Sequence, residues 1–161
     1  MTVGIGFDTH PLVPGRRLVL GGVDIPFEKG LEGHSDADVL AHAVIDALLG
    51  AASAGDIGSC FGTQDPKYKD ASSLLLLREA CQRVNALGYS VGHIDATIIA
   101  EAPRLGPYIT QMRTNLAEIV GGAVEEVSVK ATTANRMGVL GAGGGIACLA
   151  IALLVRRAAA G

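Results

Sequence analysis

The sequence predicts one domain in which strands and helices alternate around a mixed β-sheet. Its 161 residues are enough to bury a sizeable core in a single unit. Strand-like and helix-like stretches follow one another along the chain, which is typical of a sheet with a parallel component. Two successive strand candidates near the end would make that sheet mixed. The sequence contains no repeat or linker, so residues 1–161 are assigned to one domain.

The first part of the chain predicts a strand followed by a hairpin. Residues 2–10 alternate loosely between apolar and other residues, as a strand does. The stretch RLVLGGVDIPF, residues 17–27, has two β-type segments on either side of a Gly-Gly pair, which is a hairpin signal. Residues 29–34, KGLEGH, are predicted as a loop.

Two helices are predicted in the middle of the chain. Ser35 lies three residues before Asp38, which is the spacing of a capping box, so the first helix is expected from about Asp36 to Ala54. Residues 56–70 are rich in turn-forming residues and long enough to be functional rather than a simple connection. The second helix is expected over about residues 71–87, with an apolar stripe that faces the core.

The second half predicts two strands around a third helix, and then an ambiguous end. Residues 90–102 and 124–133 are predicted strands, and Pro107 stands where a proline that begins a helix belongs. Residues 145–155 are continuously apolar, so periodicity alone does not distinguish a helix from a strand there.

The composition argues against nucleic-acid and membrane partners and favours an oligomer. The formal net charge is −3, and no basic run occurs. The chain is 49% hydrophobic with a mean hydropathy of +0.39, which is high for a soluble monomer. The uncharged stretch 137–155 has a continuous apolar part only about half as long as a spanning helix requires. We therefore expect apolar surface to be buried between subunits.

The beginning of the chain and its cysteines favour a cytoplasmic location. The chain opens with neither a basic segment nor a cleavage site, so no signal peptide is expected. The cysteines are odd in number and have no paired spacing, which fits a reduced compartment and excludes a CxxC metal site. They are Cys60, Cys81 and Cys148.

A metal site is the sharpest chemical hypothesis from the residues alone. Asp8 and His10 are two apart on a strand, so they share one face of the sheet, and His42 lies on the helix expected to cover that face. Two histidines and one aspartate suit zinc with an open fourth position. Asp38 and Asp46 lie one helical turn from His42, and either could accept its other ring N–H. The pattern DxH is also common without a metal, so the spacing leaves both interpretations open.

Three further segments carry weaker signals. GAGGG, residues 141–145, matches no dinucleotide motif and is interpreted as a close-packing or turn segment. KATT, residues 130–133, is either an edge that contacts phosphate or an ordinary strand. Arg104 precedes a helix start and is either an anion contact or a solvated loop residue.

Four longer stretches together resemble a known family. They are GFDTH, GGVDIPFEKGLEGHSDADVLAHAVIDALLGAASAGDIG, DATIIAEAP and VKATT, and the likeness runs from about residue 4 to residue 155. In order and position they resemble the 2-C-methyl-D-erythritol 2,4-cyclodiphosphate synthase family of the non-mevalonate isoprenoid pathway. The resemblance implies an α+β fold, a βαβαββ mixed sheet with helices on one face and a strand as its last element. It also implies a homotrimer with active sites between neighbouring subunits.

The resemblance implies a phosphorus–oxygen lyase and assigns roles to residues. The family converts 4-diphosphocytidyl-2-C-methyl-D-erythritol 2-phosphate to the cyclic diphosphate plus CMP. Its zinc ligands match Asp8, His10 and His42, its transition-state stabilisers match His34 and Thr133, and a second ion, Mg²⁺ or Mn²⁺, bridges two phosphates. Substrate contacts are implied for Ser35, Asp56, Ile57, Gly58, Phe61, Asp65, Ala100, Pro103, Arg104, Leu105, Ala131, Thr132 and Asn135.

The sequence departs from the family pattern at several positions. Asn135 replaces a carboxylate that binds the second ion, so the magnesium affinity should fall. Residues 62–64 differ from the usual loop, and Val139 replaces a usual Phe. An Arg and two Glu common in the family are replaced by Ala142, Gly144 and Leu149, which puts in doubt a phosphate-containing ligand at the trimer axis. Two alternatives therefore stay open: a trimeric zinc protein with weakened or lost catalysis, and a metal-dependent hydrolase.

Overall fold

The computed structural model describes residues 1–62, 66–68 and 71–157. Its strands are β1 (Thr2–Pro14), β2 (Leu18–Leu20), β3 (Val23–Ile25), β4 (Lys29–Leu31), β5 (Tyr89–Ile99), β6 (Val127–Thr132) and β7 (Gly145–Arg156). Its α-helices are α1 (Val39–Ala51), α2 (Ile57–Phe61), α3 (Ser73–Ala86), α4 (Ile109–Val120) and α5 (Gly138–Gly141).

The main sheet is mixed, as predicted. Five strands lie in the order β4-β1-β7-β5-β6, and β2 pairs with β3 in a separate hairpin. The pair β5–β6 is parallel, and the pairs β1–β4, β1–β7 and β5–β7 are antiparallel. The ambiguous C-terminal stretch is the central strand β7. Between β1 and β5 the chain forms two long helices, α1 and α3. The implied order βαβαββ has one helix at this point, so the structure has one long helix more than expected there.

Helix α1 lies very close to β1 because two glycines of the strand have no side chain. A Cβ atom at Gly6 would lie 1.9 Å from the carbonyl oxygen of Ala43, and one at Gly4 would lie 2.1 Å from that of Ala47. Real Cβ atoms do not approach so closely, so only glycine fits at these two positions. His42 is the neighbour of Ala43 in α1, so this packing also brings His42 against the strand.

The opposite face of the sheet carries exposed apolar side chains, which we call the bare face. It consists of Val3, Ile5, Phe7, Leu149 and Ile151. In the register of β1 with β7, Ile5 pairs with Ile151 and Phe7 with Leu149, so these four side chains form one patch. Ile5 is 66% exposed and Phe7 is 57% exposed, which is unusual for large apolar residues on a regular strand.

Several predicted boundaries are wrong. The first helix begins at Val39 rather than near Asp36, and Asp38 is its N-cap, with its carboxylate accepting the N–H of Ala41 at 3.1 Å. The predicted capping box from Ser35 fails because Ala37 has a left-handed backbone (φ 56°), which interrupts any helix. Helix α1 also ends at Ala51, just before the left-handed Ser53 (φ 54°).

Other segments differ from their prediction in kind. Residues 29–31, predicted as loop, form β4, because β1 continues to Pro14 and offers its edge to them. The turn-rich stretch after Asp56 contains α2. A 3-10 turn over Gly106–Tyr108 includes Pro107, and helix α4 begins only after it. Within the described ranges, no helix is both long and apolar enough to cross a membrane.

Candidate active site

Asp8, His10 and His42 converge at one point, and we call them the metal group. Asp8 and His10 come from β1, and the buried His42 comes from α1. The Oδ2 atom of Asp8 lies 2.9 Å from His10 Nε2 and 2.9 Å from His42 Nδ1, and the two nitrogens are 3.2 Å apart. Ligand atoms of a tetrahedral zinc lie roughly 3.3 Å from one another. The predicted convergence is confirmed, and this group can hold a divalent metal ion.

The outer nitrogens of both histidines have partners. His10 Nδ1 lies 2.7 Å from the carbonyl oxygen of Glu32, so this nitrogen carries the proton that is donated. His42 Nε2 lies 2.8 Å from the hydroxyl of Ser73 and 3.2 Å from that of Ser35. The inner nitrogens, His10 Nε2 and His42 Nδ1, can therefore direct their lone pairs at the same point as the Asp8 oxygen. A cation bound at that point would accept all three lone pairs.

The prediction that Asp38 or Asp46 orients His42 is wrong. Both ring nitrogens of His42 already have other partners, and each carboxylate is engaged elsewhere. Asp38 accepts the N–H groups of Gly21 and Gly22 at 2.9 and 2.8 Å, so it joins the β2–β3 turn to the start of α1. Burial and the charge of Asp36 raise the pKa of Asp38 to about 6, against its hydrogen bonds from the backbone.

Asp46 instead fixes the start of α2. Its Oδ1 atom accepts the N–H of Ile57 at 2.8 Å, and burial raises the pKa of this carboxyl. Asp56, predicted to contact substrate, is exposed and caps α2 by accepting the N–H of Ser59 at 2.7 Å. The two carboxylates thus position the helix that borders the site.

Within the metal group, charges outweigh the effect of burial. Burial by itself would raise the pKa of Asp8. When His10 and His42 carry protons on their inner nitrogens, in the place that a bound cation would take, their hydrogen bonds and positive charge hold this pKa well below its ordinary value. Burial would lower the pKa of His10, and the adjacent Asp8 carboxylate raises it instead. The group therefore favours a carboxylate in contact with positive charge.

A cavity of about 270 Å³ opens beside the metal group. Among the predicted site residues, His34, Ser35, Ile57, Gly58 and Phe61 line it, together with the metal group itself. Sequence reasoning missed Gly62, Tyr68 and Leu76, which also line it. The ring of Tyr68 packs edge-to-face on Phe61, with the ring centroids 5.7 Å apart. An aromatic residue in the turn-rich segment was therefore the sequence feature that could have indicated Tyr68 as a lining residue. The predicted contact Asp65 and its neighbours 63–64 lie outside the described residues.

The other predicted residues lie at the opposite edge of the sheet, and we call them the far-edge group. They are Ala100, Pro103, Arg104, Leu105, Ala131, Thr132, Thr133 and Asn135. The N–H of Ala100 donates to the carbonyl of Thr132 at 2.9 Å, which joins the ends of β5 and β6. Among the described residues, none of this group lines the cavity.

The register of the sheet gives the separation between the two groups. Asp8 pairs with Cys148, Cys148 with Ile98, and Ile98 with Ala131. Three strand spacings therefore separate Asp8 from Ala131, which is roughly 14 Å. One chain brings the predicted site residues together as two groups, not as one.

Asn135 has a backbone reason to be asparagine. Its φ is 52°, in the left-handed region that asparagine tolerates better than most residues. Its N–H donates to Thr133 Oγ1 at 3.3 Å, and the Thr133 hydroxyl donates to Asn135 Oδ1 at 3.4 Å. Glu101 Oε1 accepts the N–H of Arg136 at 2.8 Å and supports the same turn.

Comparison with known proteins assigns the family. The sequence profile of the YgbB family matches residues 1–155. The chain belongs to the YgbB family. A similar protein, the 2-C-methyl-D-erythritol 2,4-cyclodiphosphate synthase of Moorella thermoacetica, is 56% identical over 99% of this chain and 98% of its own. The synthase of Burkholderia thailandensis is 54% identical over 98% of both chains.

A solved structure supports the same family. It is a CDP complex of IspF from Plasmodium falciparum, 30% identical, with a TM-score of 0.86 over 98% of this chain and 97% of that one. The resemblance read from the sequence motifs is thereby confirmed. The YgbB assignment covers both the metal group and the far-edge group.

Proposed function

We propose that this YgbB protein is a 2-C-methyl-D-erythritol 2,4-cyclodiphosphate synthase. Its substrate would be 4-diphosphocytidyl-2-C-methyl-D-erythritol 2-phosphate, and its products the cyclic diphosphate and CMP. The observation that carries the proposal is the metal group beside a cavity, in a chain 56% identical to a named synthase over nearly its full length. The alternative of lost catalysis rests on Asn135 and on residues 62–64, whereas the metal group and the cavity are both present.

The reaction is a phosphoryl transfer within one molecule. An oxygen of the 2-phosphate attacks the β-phosphorus, the bond from that phosphorus to the bridging oxygen breaks, and CMP leaves with the bonding electrons. Attacking and leaving groups are both phosphate oxygens, so no proton has to be removed to create the nucleophile. Positioning and neutralisation of negative charge should therefore supply most of the catalysis.

We assign zinc to the metal group because two imidazoles and one carboxylate are a common zinc set with an open position. Zinc bound to Asp8, His10 and His42 would supply a Lewis acid that polarises the β-phosphate. A second ion, Mg²⁺ or Mn²⁺, would neutralise the diphosphate further. Asn135 offers it one neutral oxygen in place of a carboxylate, so we expect this ion to bind more weakly.

The protein side chains would hold the two ends of the substrate. The cavity bordered by Ser35, Ile57, Gly58 and Phe61 is mostly apolar with a few polar side chains, which suits the methylerythritol phosphate end. His34, which is exposed and lines this cavity, would donate a hydrogen bond to a phosphate oxygen whose charge increases in the transition state. The far-edge group would hold the cytidine and diphosphate end, with the Thr133 hydroxyl aimed at the phosphates and Arg104 as their charge partner.

A homotrimer would bring the two groups together. The two groups are roughly 14 Å apart in one chain by the strand spacing, and the far-edge group is mostly exposed. The bare face exposes five large apolar side chains, and their contact with water favours burial between copies. We propose that three copies pack through these faces, so that each site combines the metal group of one subunit with the far-edge group of a neighbour. The cytoplasmic location stays a prediction.

Product analysis tests the proposal. The purified protein is incubated with the substrate and Mg²⁺, and phosphorus NMR follows the products. We expect CMP and the cyclic diphosphate in equal amounts. Open-chain diphosphate plus CMP would indicate a hydrolase instead, and no CMP would indicate a protein without this activity. Either outcome would overturn the proposal.

A further inference from the structure

Ser73 and Asp36 lie outside the cavity and have no role in the proposed reaction, yet they hydrogen-bond to each other, and Ser73 also contacts His42 of the metal group. Ser73 begins α3 and is fully buried. Its hydroxyl lies 2.8 Å from His42 Nε2 and hydrogen-bonds to the Asp36 carboxylate. The same carboxylate accepts the N–H of Ser73 at 3.0 Å.

The direction of these hydrogen bonds follows from counting donors. An ionised carboxylate only accepts, so the single hydrogen of the Ser73 hydroxyl is committed to Asp36. The Ser73 oxygen can then only accept from His42, which places the proton of His42 on Nε2. The Ser35 hydroxyl lies 3.3 Å from Ser73 Oγ, and its oxygen accepts a hydrogen bond from the N–H of Ala37.

This direction determines which nitrogen of His42 can bind a metal ion. With the proton fixed on Nε2, Nδ1 keeps its lone pair, and Nδ1 is the atom that faces Asp8 and His10. The opposite tautomer would place a hydrogen inside the metal group. His10 is held in the matching way, because the carbonyl oxygen of Glu32 accepts from its Nδ1.

We infer that Asp36 and Ser73 are positioning residues that hold His42 as the Nε2–H tautomer and so set the metal affinity of the site. A serine relays the effect of the partly buried Asp36 carboxylate to a ligand histidine, whereas metal sites commonly use a carboxylate directly. The inference rests on metal binding by the metal group and not on the cyclisation reaction.

The chain offers a matched control in the neighbouring serine. Ser72 is exposed, and its side chain makes no capping hydrogen bond, although it stands directly before Ser73 at the start of α3. Ser73→Ala and Ser72→Ala therefore remove the same atom at adjacent positions. Asp36→Asn is a second test, because its amide nitrogen donates where Asp36 has an acceptor oxygen. In one orientation the hydrogen bond from the Ser73 N–H is lost, and in the other the hydrogen bond with the Ser73 hydroxyl reverses its direction.

The experiment measures zinc affinity by competition with a chromophoric chelator, and the His42 tautomer by nitrogen-15 NMR of the imidazole. For Ser73→Ala we expect affinity to fall about 10- to 100-fold and the Nε2–H signal to lose its protection from exchange. Asp36→Asn should change both readouts in the same direction, and Ser72→Ala should change neither.

Thermal unfolding of each variant separates a folding defect from the proposed effect. A folded Ser73→Ala with wild-type zinc affinity, or one that keeps a fixed Nε2–H on His42, would overturn the inference. Wild-type protein that fails to bind zinc would overturn it as well. Wild-type protein that binds zinc but does not cyclise the substrate would overturn only the proposed function.

Discussion

The metal group is held by hydrogen bonds within the chain and borders a cavity. The far-edge group, in contrast, includes three residues that lie exposed at the far edge of the sheet: Thr132, Thr133 and Asn135. The metal group is supported by the close packing of α1 on β1, so folding alone arranges its ligands. The far-edge group is tied together by the ends of β5 and β6 but presents its side chains outward.

The difference indicates two kinds of dependence. The metal group needs only its own chain, so substitutions there should change metal content and activity whether or not copies associate. In the proposed trimer a neighbouring subunit covers the far-edge group, so substitutions there should affect substrate binding and leave the metal in place. The experiments below separate the two groups by these readouts.

The largest effect is expected from His42→Ala. Only Asp8 and His10 would remain as ligands, so the variant should lose its zinc and about 10³-fold or more of its activity. Metal content is measured by elemental analysis of the purified protein. Thr133→Ala is the matched variant from the far-edge group, and it should keep its zinc. Wild-type zinc content in His42→Ala would show that the ligand set is wrong.

A smaller but substantial effect is expected from adding a side chain between β1 and α1. The new methyl group of Gly6→Ala would meet the Ala43 carbonyl at 1.9 Å, so helix and strand must separate. We expect the free energy of unfolding to fall by about 3 kcal/mol, with weaker zinc binding because His42 moves with the helix. Urea denaturation at fixed protein concentration measures the stability.

Gly50→Ala is the control for this substitution on the facing helix. The nearest atom to its Cβ is 3.9 Å away, an ordinary contact, and alanine favours the helix, so stability should rise by up to about 1 kcal/mol. If Gly6→Ala unfolded at the same urea concentration as the wild type, the close approach of α1 to β1 could not be what positions His42.

The smallest effect is expected at Asn135. Asn135→Glu adds a carboxylate at the far edge, so the Mg²⁺ concentration that gives half the maximal rate should fall severalfold. Because this backbone is left-handed, Asn135→Asp is the better-tolerated second variant and should change the requirement in the same direction. The rate is measured across a magnesium titration. An unchanged or higher requirement in both variants would count against a second ion at this position.

The sequence was sufficient where one element decides the geometry. Asp8 and His10 share a face because strand side chains alternate, and the packing of α1 on that face brings His42 to them. The mixed sheet and the hairpin also follow from local patterns. The family motifs were needed to identify residues 145–155 as a strand, since a central strand covered on one face and apolar on both has no clear periodicity.

The sequence was insufficient where two distant segments meet. Helical spacing suggested Asp38 and Asp46 as partners of His42, but the partner is Ser73, 31 residues away, at the start of another helix. The Ser35 cap failed for a similar reason, since the left-handed Ala37 turns the chain so that Ser35 faces His42. Which elements pack around a helix end is a tertiary property that spacing along one helix does not contain.

The most direct test of the account is to rebuild one active site from two damaged chains. Chains with His42→Ala and chains with both Arg104→Ala and Thr133→Ala are co-expressed, and mixed oligomers are isolated with two affinity tags. In a closed trimer, every mixed oligomer has one intact site, so we predict about one third of the wild-type rate of CMP release from two nearly inactive parents. Mixed trimers that stay as inactive as their parents would contradict a site shared between subunits.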